Sequence, residues 1–181
     1  MHIASRGKVF VRSAAAIALV GIFVAACSPN YMSGTASFSP VTVAGFAADM
    51  SLNPIDGGVP VGIEVGMFDR PVTCAQLLSG TYYDARLFGF LLYASAGLPV
   101  GQHLINGSLI SDPGGIAGIS DLHADGGFDT QTNYTGGSVT FTTVSGTQLA
   151  GTFTMTGSGS DGGSATLTGG FQTTIMCTGG F

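Results

Sequence analysis

The sequence predicts an all-β domain, an antiparallel β-sandwich with a small β-barrel as the alternative. Three observations lead there. From residue 138 onward, apolar and polar residues alternate with a period of two, in Ser138-Val139-Thr140-Phe141-Thr142-Thr143-Val144, in Leu149 to Met155 and in Ala165 to Met176. Glycine supplies 30 of the 181 residues and gathers in clusters between the apolar runs, where it serves as turn chemistry. Charged residues make up only 8% of the chain, too few for a coiled coil, while 45% apolar content is too high for an intrinsically disordered chain.

The first 26 residues stand apart from this pattern. Arg6, Lys8 and Arg12 precede an apolar stretch from Ser13 to Ala26, the layout of a secretory signal peptide. That stretch is shorter than the roughly 20 residues needed to span a bilayer. No twin arginine is present, so the general secretory route is expected. The stretch ends in Val24-Ala25-Ala26-Cys27, which resembles the lipobox of bacterial lipoproteins: an aliphatic residue, two small residues and a cysteine. Val24 stands where that family usually has leucine. The resemblance implies that Cys27 receives a diacylglyceryl group, that a lipoprotein signal peptidase cuts before it, and that Cys27 becomes the first mature residue. An ordinary signal peptide with a chance cysteine is the competing explanation.

The expected organisation is therefore a signal peptide over 1–26, a flexible tether over 27–40 and one all-β domain over 41–181. Residues 28–40, SPNYMSGTASFSP, are small and polar with two prolines, as flexible linkers are. Thirteen such residues have a reach of about 20 Å. Removing residues 1–26 leaves Arg70 and Arg86 against all ten acids, a net charge of −8. Such a surface offers nothing to nucleic acid and is not drawn to anionic headgroups. Attachment to a membrane would rest on the lipid at Cys27.

Within the domain, residues 41–52 have β character and end in a turn cluster at 53–58. Residues 61–66, VGIEVG, form a short strand. Cys74 to Ser79 is the one helical turn, ended by Gly80. The apolar run 86–95, RLFGFLLYAS, is a buried strand. A further strand lies around 102–110, where Asn106-Gly107 suits a tight hairpin turn, and another over 115–123. The last three strands, joined by Ser145-Gly146 and by the glycine-rich turn 157–164, make a meander. Its core face is Val139, Phe141, Phe153, Met155, Leu167, Phe171 and Ile175, and its threonine-rich face meets solvent. This pattern is similar, over about 40 residues, to the C-terminal half of uncharacterised secreted bacterial β-sandwich lipoproteins, a resemblance that carries no activity with it.

Cysteine parity bears on location. With Cys27 lipidated, Cys74 and Cys177 remain as a pair in an oxidising compartment, where a bridge between them is expected. Two buried free thiols are an alternative, as is a zinc site with His103 and His123, although no metal-ligand spacing supports the latter. Asp121, Asp125 and Asp129, beside His123, are weak candidates for calcium. No cofactor is expected. The run Gly157 to Gly162 matches the dinucleotide fingerprint in letters, but a strand follows it where that motif needs a helix. No G-x-S-x-G is present, and Glu64 is the only glutamate of the mature chain, so no pair of glutamates exists for glycoside hydrolysis. Tyr82-Tyr83 suits a binding patch or a structural role.

The expectation from sequence is thus a lipid-anchored, non-enzymatic structural or interaction module of the bacterial cell envelope, facing the periplasm or the exterior, with an unknown partner. The alternative is a carrier of a small apolar ligand or lipid, with Phe88, Phe90, Leu91 and Tyr93 lining a cavity of about 300 Å³ or more.

Overall fold

A computed structural model describes residues 30–48, 59–81, 84–125 and 127–177. Cys27, the stretch 1–26 expected to be a signal peptide, and Tyr82-Tyr83 lie outside these residues. The described chain runs β1 (Tyr31–Gly34), β2 (Thr42–Ala48), β3 (Gly62–Phe68), α1 (Cys74–Ser79), β4 (Ala85–Tyr93), β5 (Gly101–Ile105), β6 (Gly114–Leu122), β7 (Phe128–Val144), β8 (Leu149–Gly159) and β9 (Ser164–Thr173). All strand pairs are antiparallel, in the order β1-β9-β8-β7-β6-β4-β3-β2, with β5 added onto β7. The all-β antiparallel class is as expected. The strands form one continuous sheet curled into a half-barrel, closer to the barrel alternative than to two separate sheets.

Curling brings the two ends of the sheet together. Gly45 of β2 donates its N–H to the Ile175 carbonyl at 3.1 Å and accepts from the Cys177 N–H at 3.3 Å. The Thr173 hydroxyl donates to the Val43 carbonyl at 2.7 Å, which satisfies a buried polar group. The long β7 makes the curl possible. Its first part pairs with β6 and its second with β5, while β8 follows it from Thr132 to Val144. The change of partner falls at a bulge between Tyr134 and Gly136. Gly137, immediately after, has φ +122°, and a Cβ there would lie 2.1 Å from the Thr154 carbonyl oxygen, so only glycine fits.

The inner face is lined with buried aromatic rings in mutual contact. Phe88 of β4 lies 4.7 Å from Phe153 of β8, centroid to centroid, and Phe90 lies 5.5 Å from Phe171 of β9. Phe141 and Phe171 meet edge to face at 6.1 Å. These contacts cross the interior between strands that are not neighbours in the sheet. Each such buried side chain contributes roughly 1.5–3 kcal/mol in transfer free energy. A second, smaller cluster sits on the opposite face of β2 to β4. There Ala44, Phe46, Phe68 and Ala85 pack beneath Leu77 of α1 and beside Cys177.

Several expectations need correction. Residues 31–34 belong to the sheet and not to a tether: β1 pairs with β9, Tyr31 opposite Gly170, and the Gln172 N–H donates to Asn30 Oδ1 at 2.8 Å. Ile175 is 40% exposed and not in the core. The alternation of β9 stops at Thr173, whose hydroxyl accepts from the Ile175 N–H, and the chain then leaves β8 to bond to β2. Asn106-Gly107 turns no hairpin, because β5 pairs with β7 and the Asn106 and Gly107 N–H groups both donate to the Gly115 carbonyl. The turn expected over 157–164 is shorter, since β8 runs on to Gly159.

Candidate functional site

Cys74 and Cys177 form a disulfide, 103 residues apart in sequence and 5.4 Å apart between Cα atoms. Local chemistry places each half. Cys74 opens α1, whose N-terminus is capped by Thr73 and Gln76 in a reciprocal box and whose C-terminus ends on Gly80 at φ 64°. Cys177 is set by its bond to Gly45. The bridge therefore ties the helix and the tail after β9 to the β2 edge. It also removes both thiols from the zinc set considered above. Of the two histidines in that set, His103 Nε2 contacts the Pro99 carbonyl at 2.8 Å and stacks by Phe141, while His123 Nε2 contacts Asp129 at 3.0 Å.

The calcium candidates are likewise engaged one by one. Asp121 receives a bidentate pair from Arg86, Nε to Oδ1 at 2.6 Å and Nη2 to Oδ2 at 2.9 Å. That hydrogen bonding holds the Asp121 carboxyl below the usual carboxylate range and raises Arg86. Asp125 Oδ1 accepts from the Gly127 N–H at 2.9 Å, closing its own turn. Asp129 carries His123. Among the described residues no three metal-ligating side chains are gathered in one place. A cavity of about 420 Å³ adjoins this cluster, bordered by Phe38, Asp69, Asp84, Arg86, Asp121 and His123. Its one arginine is already shared, with Asp121 through its side chain and with Asp69 through its backbone N–H.

The four residues proposed to line a carrier cavity do not share a face. Phe88 and Phe90 point inward and are 0% and 2% exposed, whereas Leu91 and Tyr93 are half-buried. Leu91 belongs instead to an open groove of about 490 Å³ on the opposite face of β3, β4 and β6. Strand register explains the groove. Gly66, Gly89 and Gly118 stand opposite one another on three adjacent strands, with Asn133 next in line on β7. This row has no side chains on three strands. The next row consists of Glu64, Leu91 and Ile116, and the row on the other side contains Leu87 and Ser120. The Phe68 ring lies over Gly66, where a Cβ would meet it at 2.7 Å, so the open floor is Gly89 and Gly118. Glu64 is the only carboxylate lining the groove, and burial raises its pKa above the ordinary 4.5.

The groove was hidden at the sequence level. Its glycines are visible in VGIEVG, RLFGFLLYAS and GIAGIS, but their alignment depends on pairing register, which only the folded sheet fixes. No family model matches the chain, and the comparisons with curated proteins and with solved structures found no match.

Proposed function

We propose that this chain is a lipid-anchored protein of the bacterial cell envelope, attached through Cys27, whose all-β domain acts as a non-enzymatic interaction module. The observation that carries the proposal is the Cys74–Cys177 bridge. It is a bond of oxidising compartments, and it leaves Cys27, directly behind Val24-Ala25-Ala26, as the one cysteine for lipid attachment. The non-enzymatic part rests on Asp121, Asp125 and Asp129 each holding a structural partner. The interior, lined with rings in mutual contact, gives no support to a carrier that encloses its cargo.

With β1 starting at Tyr31, three residues separate Cys27 from the sheet, four Cα–Cα steps that span at most about 14 Å. The β1–β9 edge would then be held near the membrane, within a span shorter than the roughly 20 Å typical of a 13-residue tether. The intact mass of protein extracted from membranes, before and after reduction and alkylation, tests the proposal. The expected mass is residues 27–181 plus diacylglyceryl, with Cys74 and Cys177 alkylated only after reduction. An unlipidated mass for the membrane-extracted protein would overturn the anchor.

A further inference from the structure

We propose that the groove over Gly89 and Gly118 binds a small primary alkylamine, its ammonium group paired with Glu64 and its alkyl stem lying along Leu91 and Ile116. The inference goes beyond the anchoring proposal and holds whether or not the chain carries a lipid.

Three observations combine. The first is the floor. Glycine is a poor strand residue, and it persists mid-strand where the backbone or packing demands it or where something must come close. Neither demand exists at Gly89. Its φ is not in the left-handed region, and the nearest atom a Cβ would meet is the Val65 carbonyl oxygen at 3.6 Å, an ordinary contact. What the missing side chain leaves is open space above β4. The second is charge. Glu64 is half-buried, and among the described residues no hydrogen bond or ion pair engages its carboxylate. It is the only carboxylate among the described residues that line the groove, in a chain of net charge −5, so the field favours a cation. A half-buried carboxylate without a partner is costly, and an ammonium group offsets that cost by charge-assisted hydrogen bonding. The third is shape. Glu64, Leu91 and Ile116 are consecutive cross-strand neighbours, so the acid stands at one end of an apolar shelf two strand spacings long, about 10 Å. Ile116 is 38% exposed, and a stem on it would remove apolar surface from water. A slender chain with one ammonium end matches this layout. An anion would meet Glu64, and a bulky ring would meet the walls at Leu87 and Leu91.

Isothermal titration calorimetry on the full chain in detergent, with hexylamine as the probe and 1-hexanol and hexanoate as controls, tests this, each against a micelle blank. Hexylamine is expected to bind, and both controls to bind at least about tenfold more weakly. Glu64→Gln should weaken hexylamine by about tenfold or more. Gly89→Leu should abolish binding by filling the floor. If that variant does not fold, Gly89→Ala, whose methyl the fold accommodates, should weaken binding by a smaller factor. No heat with hexylamine above the blank would overturn the proposal. So would equal binding of hexanol, or unchanged affinity in both Glu64→Gln and Gly89→Ala.

Discussion

The two halves of the curled sheet solve the same problem differently. The meander of β7, β8 and β9 buries one face and leaves the other wet: Val139, Phe153, Met155 and Leu167 face inward, while Thr152, Thr154, Thr166 and Thr168 are exposed or nearly so. The half made of β2, β3 and β4 buries its inner face and covers part of its outer face. Six of the seven residues of β3 are buried, Glu64 alone being half-exposed. The inner face of this half joins the ring-lined core, and part of its outer face lies under α1, the disulfide and the tail, the remainder being the groove. The difference shows where function can reside. A face made mostly of threonine and serine is solvated and shallow. A face that is partly covered and partly stripped by glycine has depth.

The comparison predicts first that the rings joining the halves matter most. Phe88→Ala removes a fully buried ring that touches both Phe153 and Tyr134. A loss of about 3–5 kcal/mol is expected, measured by urea denaturation. A loss under about 1 kcal/mol would mean that the halves are stable independently. The bridge comes second. Replacing Cys74 and Cys177 together by alanine should cost about 2–4 kcal/mol, because it frees the helix and the tail that cover the outer face. Hydrogen exchange then distinguishes the halves: protection should fall in β2 and β3 before it falls in β8.

Legibility followed the same division. The meander could be read because strict alternation names a buried face wherever one side is wet. The helix could be read because its stop signal, Gly80, is local. In β3 and β4 alternation is masked, since both faces are apolar, and the sequence shows a run without saying which residues face each other. Misplaced residues share a cause. Tyr31 to Gly34 look like linker because an edge strand of four residues has no pattern of its own; its bonds to β9 come from the other end of the chain. Ile175 continues the alternation of β9 on paper, but the chain has already left β8 for β2. The Cys74–Cys177 pair followed once the lipobox resemblance set Cys27 aside, whereas the glycine row needed register.

The third prediction sets two carboxylates against each other. Glu64, on the half made of β2, β3 and β4, has its pKa raised by burial. Below its ordinary value near 4.5 it is protonated in both states and costs nothing; the penalty grows as pH rises through the higher folded value. Glu64→Gln should therefore raise the thermal midpoint at pH 7 and leave it unchanged at pH 3. Asp121 has the opposite sign. Its pKa lies below the ordinary 3.8 because of Arg86, so its contribution is present above that pH and is lost as pH falls through the lower folded value. Asp121→Asn should lower the midpoint at pH 7, through a stability loss of no more than about 1 kcal/mol for so solvated a pair, with the loss fading under strong acid. Thermal melts of both variants at the two ends of the range check the signs, and two variants moving in the same direction at pH 7 would break the assignment.

The smallest expected effect lies on the wet face. Thr154 stands between Ser138 and Thr168 in one cross-strand row, fully on the solvent side. Valine keeps the β-branched shape that suits a strand and removes only the hydroxyl, so Thr154→Val should change stability by less than about 0.5 kcal/mol. Urea denaturation measures this directly against Phe153→Ala, one residue away and inward, for which about 3–5 kcal/mol is expected. A loss above about 1 kcal/mol at Thr154 would mean that the threonine row acts as a connected hydrogen-bond array and not as a solvated surface. The meander would then have two structured faces like its partner half, and the contrast that singles out the glycine groove would lose its basis.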